Sequence, residues 1–473
     1  MFRQGLRIGI RQFCSNGSDK TPPAGSFRSP WKILKEEFQA VKQGQPLPTE
    51  LPVPREVDIL VVGGGLIGSA VAYWIKQRHP KGVSLMVLEK DMSYTRASST
   101  LSAGGLRHQF SMAENIQLSL FCTDFLRNIK EHLSVLDQDP PCVPFNHQGY
   151  LFLVPPDSVE QCLKNHALQT ELGAKIELLT CSRLKEKFPW LNLDGVELGS
   201  YGVEGEGWFD PYCLLQAFKQ KNQSLGVRYV TGELTEFDFR EERIMMGSES
   251  NSHKILDSAV IKGKDGKMYE TRFAVVINCA GAWAGDVARK AMIGLGPGDL
   301  STPLPVEPRK RYVYAIHCPD GPGVASPLTV DSSLTYYRQD GYGGHYICGC
   351  SPTEENEPCT DDLEVNYDYF HENVWPSLAS RVPKFECLKL KSAWAGFYDY
   401  NTFDQNLIIG NHPYHRNMIF ANGLSGHGVQ HATGIGRAVM ELIIDNDFKT
   451  IDLSRLGFER LIYKEPVLEQ HIV

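Results

Sequence analysis

The sequence predicts an α/β protein in which one mainly parallel sheet is assembled from segments far apart along the chain. An antiparallel, sheet-rich domain is inserted between those segments. Three observations predict this. The run Val57-Asp-Ile-Leu-Val-Val-Gly63-Gly-Gly65-Leu-Ile-Gly68 is a short apolar strand that breaks into glycines spaced Gly-x-Gly-x-x-Gly and enters a helix. Phe273-Ala-Val-Val-Ile-Asn-Cys-Ala-Gly-Ala-Trp283 is a second strand of buried type, ending in small residues with a helix behind it. Ile419-Phe-Ala-Asn-Gly423-Leu-Ser-Gly426-His-Gly428 is a third, running into a glycine loop and a helix expected over 433–444.

The first run has the chemistry of a dinucleotide site. Gly63 permits a tight turn, Gly65 lets the backbone approach a pyrophosphate, and Gly68 lets helix and strand pack closely. The phosphates then sit at the positive end of the helix, beside Leu66 and Ile67. Twenty-one residues past Gly68, a second strand ends on Glu89, which can accept from a ribose hydroxyl, with Lys90 beside it.

The remaining elements follow in order. Residues 97–105 form a small-residue loop, 111–133 are helical, 149–154 alternate as a strand, and 157–188 are expected to be mainly helical. Asp210 caps a helix that Pro211 starts. A β-rich region spans 227–270 with turns at Asn251 and Asp265-Gly266, and alternating strands fill 306–394 around turns such as Asp340-Gly341. The cofactor domain is therefore expected in three pieces, 55–140, 205–300 and 400–455. The substrate domain takes 141–204 and 301–399, and 456–473 is a C-terminal tail.

Composition excludes several classes. The chain has 473 residues, 42% of them hydrophobic, and a formal charge of −8, so nothing points to nucleic acid. Its apolar runs are strand-length, which predicts no transmembrane segment and leaves room for peripheral contact with a membrane. The twelve cysteines contain no Cys-x-x-Cys, and no metal site is expected. Residues 1–17 carry Arg3, Arg7 and Arg11 and no acid, with Phe2, Leu6, Ile10 and Phe13 at matching spacing. That is the form of a mitochondrial transit peptide, or of a basic tail, followed by a proline-marked linker over 18–54.

This order resembles the D-amino acid oxidase family of FAD-dependent oxidoreductases, in its sarcosine and dimethylglycine dehydrogenase branch. The residues that carry the resemblance are 63–68, Glu89, 97–107, 275–283 and 392–441, the last including Ser-Ala-Trp-Ala-Gly-Phe and Asn422-Gly-Leu-Ser-Gly-His-Gly428. The resemblance implies a Rossmann-like FAD domain with an inserted antiparallel cap, and hydride transfer from a C–N bond to FAD. It assigns Ser98, Ser99, Ala103, Gly104 and Gly105 to the pyrophosphate and ribityl region. Ala280, Gly281 and Trp283 join the cofactor site from the second strand. The loop holding Gly423, Ser425, Gly426, His427 and Gly428 goes to the pyrimidine edge of the flavin, where backbone amides would stabilise charge on reduction. Segments 206–211, 306–314 and 398–406 resemble a vertebrate mitochondrial branch concerned with assembling respiratory complex I. This implies matrix location, complex I subunits or assembly intermediates as partners, and contact with the inner membrane.

The sequence departs from the family at informative places. Relatives that bind flavin covalently use a His or a Cys where this chain has Ser102 and Phe397, so FAD is expected to be non-covalent. The amino-acid oxidases carry a carboxylate-binding Arg shortly before the Asp404-like position, where this chain has Tyr398, Asp399 and Tyr400. A Lys of other relatives is replaced by Gln430. Arg107 is then the candidate to pair a substrate acid, or it pairs with a protein acid; Arg338 is a second candidate. His427 and His108 either orient substrate and flavin or make structural hydrogen bonds. Tyr398 and Tyr400 are expected to line one aromatic wall suited to an amine. Arg309-Lys310-Arg311 reads as a solvated edge or a docking patch. A flavoprotein that serves mainly by binding other proteins stands as the alternative to an enzyme.

Overall fold

Apolar runs decide the central layer. Val57, Ile59, Leu60, Val61 and Val62 are all buried, so the strand Glu56–Val62 is covered on both faces, as a central parallel strand must be. In the computed structural model, which describes residues 53–246 and 249–470, this strand pairs in parallel with Leu85–Glu89 on one side and Met268–Asn278 on the other. Met418–Asn422 continues the sheet in parallel beyond Met268–Asn278, and Ile408–Asn411 closes that edge antiparallel. On the other side Arg228–Met246 runs parallel to Leu85–Glu89 and forms a long hairpin with Glu249–Gly263. Seven strands from distant parts of the chain thus make one mixed sheet.

Two helices cover the face above the glycine motif, Leu66–Arg78 and Gly428–Ile444. They approach at Gly436, where a Cβ would meet the backbone carbon of Ala70 at 2.6 Å. The Trp74 indole N–H donates to the Thr433 carbonyl at 2.9 Å and fixes their register.

The second sheet has eight strands in the order Lys389–Asn401, Val306–His317, His345–Gly349, Tyr336–Gln339, Leu328–Val330, Tyr150–Val154, Leu198–Glu204, Lys175–Thr180. All its pairings are antiparallel except Leu328–Val330 against Tyr150–Val154. A three-stranded patch, Gly105–Leu106, Gly207–Phe209 and Phe145–Asn146, carries the chain between the sheets. The α/β class with an antiparallel insert is therefore as expected.

The stretch 157–188 is mainly helical, as expected, in Val159–Glu171 and Cys181–Lys187, but a strand, Lys175–Thr180, separates the two after Gly173, whose φ is +95°. In that strand Ile176 and Leu178 alternate with Lys175 and Glu177, which is half-buried strand chemistry. Three local expectations need correction. Asn251 is not a turn; it pairs with Ile244 inside the long hairpin. The helix expected from 433 begins at Gly428, so the glycine loop leads directly into its N-terminus. Residues 456–470, set apart by the sequence as a tail, pack against the body. Arg460 there holds the buried Asp404 carboxylate with Nε–Oδ2 at 2.7 Å and Nη2–Oδ1 at 3.1 Å, and Val467 N–H donates to the same group. The transit-peptide reading of 1–17, and the linker as far as residue 52, lie outside the described residues.

Candidate functional site

The carboxyl ends of the parallel strands open into one cavity of about 730 Å³, within the range of natural ligand sites. Gly63 turns there with a φ of +102°, and a Cβ on it would lie 2.2 Å from the Cys279 carbonyl oxygen. Gly65, Leu66 and Ile67 line the cavity at the helix start. Gly68 instead packs on the Gly63 carbonyl, which a Cβ would meet at 2.0 Å. Glu89 and Lys90 line the same end. The Glu89 carboxylate accepts from Gly64 N–H at 2.8 Å and from Asp91 N–H at 2.9 Å. Burial raises its pKa against those hydrogen bonds.

The second wall is the 97–105 loop. Ser98, Ser99, Ala103 and Gly105 line the cavity, and Ser99 Oγ accepts from Leu66 N–H at 3.1 Å. Gly104 lies behind them, its φ of +75° bringing it against the Phe209 carbonyl. Ala280, Gly281 and Trp283 close the cavity from the end of Met268–Asn278.

The glycine loop divides its labour. Gly426, His427 and Gly428 line the cavity, whereas Gly423 and Ser425 support the loop from behind. The Gly423 and Leu424 amides donate to Asp399 Oδ2 at 2.9 and 3.1 Å, and Ser425 N–H donates to the Asp399 carbonyl. These three amides are therefore not available to a flavin edge, which corrects the expectation that the whole loop faces it. Gly426 and Gly428, at the helix N-terminus, are the residues left for that task.

Arg107 is 2% exposed and lies against Phe110 at 4.6 Å and Phe152 at 5.0 Å from their ring centres. Its Nη2 approaches His427 Nε2 at 3.1 Å. A guanidinium has only donors, so Nε2 must accept, and His427 is the neutral tautomer whose Nδ1–H donates to the Leu424 carbonyl at 3.2 Å. Burial, with Arg107 and His431 beside it, drives the His427 pKa well below its ordinary value. Gln430 Oε1 accepts from the Arg107 backbone N–H, so the residue replacing a lysine fixes the arginine.

Tyr398 lines the cavity with its ring against Gly426, and the Arg311 guanidinium lies 5.3 Å from the ring centre. Tyr400 is not part of that wall; it stacks on Arg309 outside it. The basic run is neither a solvated edge nor a free patch: Arg309 and Arg311 share Glu357, and Lys310 pairs with Asp362. Arg338 also has a structural post, donating to the Ala103 carbonyl and to Asp340. His108 bonds Thr123 beside the buried Glu206, away from the cavity lining.

Sequence reasoning missed several lining residues. Tyr150, Leu328 and Tyr336 come from three strands of the cap sheet, and no local motif marks them. Glu233 could have been found, because its strand runs parallel beside Leu85–Glu89 and carries it just past the carboxyl end of that strand, where Thr231 pairs with Glu89.

These residues fit FAD. The glycine cradle and Glu89 suit the adenosine diphosphate half, and the cavity continues past the 97–105 loop to the helix N-terminus at Gly428. Ser102 and Phe397, both at the cavity, offer no covalent link, and acid precipitation of the holoprotein is expected to release the yellow colour into the supernatant. Colour in the pellet would overturn that expectation.

Comparison with known proteins agrees with the geometry. The chain is 48% identical over 430 residues to FAD-dependent oxidoreductase domain-containing protein 1 of Xenopus laevis, covering 90% of this chain and 86% of that one. It is 25% identical to human mitochondrial dimethylglycine dehydrogenase, over 92% of this chain and 48% of that protein. The L-proline dehydrogenase structure from P. horikoshii superposes with a TM-score of 0.71 at 23% identity, covering 88% of this chain and all of that one. Residues 58–442 match the family described as FAD dependent oxidoreductase, DAO. The chain belongs to that family.

Proposed function

We propose that the chain oxidises the C–N bond of a small amine or amino acid, with FAD held non-covalently. The observation that carries this is Arg107, a buried cation at the wall of the same cavity as the glycine loop. When bound, FAD supplies the two-electron acceptor. The chain's own residues bind, orient and exclude water. Arg107 would take the substrate carboxylate, fixed by His427 and Gln430. Tyr150, Tyr336 and Tyr398 enclose the substrate from the cap side.

The test is anaerobic mixing with a panel of N-methyl and unsubstituted amino acids. At least one is expected to bleach the flavin band. Arg107→Leu is expected to weaken that substrate by about 2–5 kcal/mol while leaving flavin content intact. Bleaching by no member of the panel would remove the reading.

The proposal includes a mitochondrial matrix location and a part in complex I assembly, with complex I subunits or intermediates as partners and inner-membrane contact. The basic amphipathic stretch 1–17 supports the location, as does a mitochondrial relative such as dimethylglycine dehydrogenase. A second reading, a flavin-binding assembly factor with little catalysis, is favoured by one observation: Asp399 stands close to where the oxidases carry their carboxylate-binding Arg. Retained flavin, no bleaching and co-purification with complex I subunits would select it.

A further inference from the structure

The segment that follows Arg107 closes on a buried acid that does not itself line the cavity. Glu206 and His108 are 1% and 2% exposed. The Glu206 carboxylate fills the space over Gly202, where a Cβ on that glycine would collide with it. Its Oε1 accepts from His108 N–H at 2.9 Å and its Oε2 from Gln109 Nε2 at 2.8 Å. Gln109 Nε2 also donates to the carbonyl of Tyr150, whose ring centre lies 6.0 Å from the Arg107 guanidinium. Thr123 gives its one hydroxyl hydrogen to the Gly205 carbonyl at 3.0 Å, so His108 Nε2 must carry the hydrogen shared with Thr123 Oγ1 at 2.8 Å. His108 Nδ1 is then a bare lone pair, 3.8 Å from Glu206 Oε1 and, among the described residues, without a hydrogen-bond partner. Two buried acceptors side by side repel unless one of them binds a proton.

We infer that Glu206 is a positioning residue that binds a proton as a substrate carboxylate settles on Arg107, so that anionic substrate and hydrogen ion enter together. The inference rests on the amine-oxidation reading, in which Arg107 holds that carboxylate. Before the substrate arrives, the positive charge of Arg107 favours the ionised form of Glu206. A carboxylate on Arg107 cancels that charge, and Glu206 takes a proton from a buffer acid in solvent. An O–H bond forms on the carboxylate, the bond between buffer and proton breaks, and nothing is oxidised or reduced. His108 Nδ1 is the acceptor beside the new O–H. As a neutral acid Glu206 still accepts from the His108 amide and from Gln109, so residues 107–109 hold Arg107 in place.

The surroundings suit this role. Burial pushes the Glu206 carboxyl up to about 7, against the lowering effects of Gln109, the His108 amide and Arg107. The other groups that feel Arg107 are far from neutrality. Burial drives His427 well below its ordinary value and His431 to about 3, while Tyr150 is pushed up to about 12 and Tyr398 is raised. Asp399 is raised to about 6 by burial, but it answers to the Gly423 and Leu424 amides rather than to Arg107. Around the pair itself, burial takes His108 down to about 4, helped by Arg127 of the helix Ala113–Arg127. Arg127 in turn pairs with Glu204 of the strand Leu198–Glu204, where Tyr201 is raised by burial. From Val159–Glu171, Cys162 beside Ser200 is raised by burial, and His147 is lowered by it. Glu206 is the group that responds to Arg107 near neutral pH.

The test reads proton uptake when flavin-loaded protein binds pivalate, a carboxylate without an amine. Calorimetric titration at about pH 7.5 in buffers of different ionisation heat is expected to show about half a proton taken up per pivalate by wild type. Glu206→Gln, which keeps an acceptor oxygen for the His108 amide, should take up none. Followed by perturbation of the flavin spectrum, wild-type affinity should be greatest below about pH 7, where Glu206 is already protonated, and fall about tenfold toward about pH 9. The affinity of Glu206→Gln should stay level, near the wild-type value at low pH. Should that variant fail to fold, the infrared difference spectrum of wild type decides: pivalate binding at about pH 7.5 should raise the C=O band of a carboxylic acid. Pivalate binding with no uptake and no such band, or uptake undiminished in Glu206→Gln, overturns the inference. Failure of wild type to bind pivalate removes Arg107 as the carboxylate site and this inference with it, whereas the amine-oxidation reading falls only if no amino acid bleaches the flavin.

Discussion

Gly63→Ala is expected to yield protein that purifies without flavin. Two independent costs meet at this position. A φ of +102° lies where an L side chain is strained, and the new Cβ would stand 2.2 Å from the Cys279 carbonyl oxygen and 2.7 Å from its carbon. Neither atom can yield, because Cys279 N–H donates to Val62 on the neighbouring strand and holds the two chains together. Overpacking of this kind costs about 1–3 kcal/mol before the backbone strain is added. The turn must open, moving the helix N-terminus off the phosphate position, and flavin affinity should fall by more than about thirtyfold. Gly82→Ala is the control. Its φ of +88° is also left-handed, but a Cβ there meets nothing within 4 Å and the residue does not line the cavity. It should keep most of its flavin. Wild-type flavin content in Gly63→Ala would show that the turn does not carry the cofactor.

The second large effect is on stability. Arg460→Ala removes the partner of Asp404, which is 1% exposed, and orphans the Asn406 and Leu407 carbonyls to which the same guanidinium donates. Breaking a buried ion pair from one side costs about 3–5 kcal/mol, because the remaining charge stays buried without compensation. The urea midpoint should fall accordingly. Pairing Arg460→Met with Asp404→Leu should recover much of the loss, since no isolated charge is then left. A midpoint within error of wild type for Arg460→Ala would mean that residues 456–470 are not fixed to the body.

How much was legible in the sequence depended on whether the deciding physics was local. The dinucleotide grip was legible because a turn, a helix start and a strand end each need particular residues at fixed spacing. The Asp210 cap was legible for the same reason, and its Oδ1 does accept from Cys213 N–H at 3.0 Å. The discontinuous sheet was legible because three apolar strands ended in small residues far apart in sequence. What was not legible depended on long-range partners. The basic run at 309–311 gave no sign of Glu357 and Asp362, some fifty residues away, that neutralise it. Alternation alone placed Tyr398 and Tyr400 together, whereas the structure divides them between the cavity and Arg309. The tail gave no periodic signal because its anchors are unlike one another and irregularly spaced: Leu456 and Phe458 in the core, Arg460 on Asp404, and Glu469 on Asn115.

The distance between the two halves of the central sheet has a consequence for biosynthesis. Met268–Asn278 cannot acquire its outer neighbour Met418–Asn422 until almost nine-tenths of the polypeptide has emerged, and Asp404 waits longer still for Arg460. Throughout that interval the nascent chain displays an unpaired strand edge and an open apolar face, the features that invite aggregation. A protein with such late-closing contacts is expected to depend on chaperones while it is being made, and to lose yield sharply when translation stops short of its final turns.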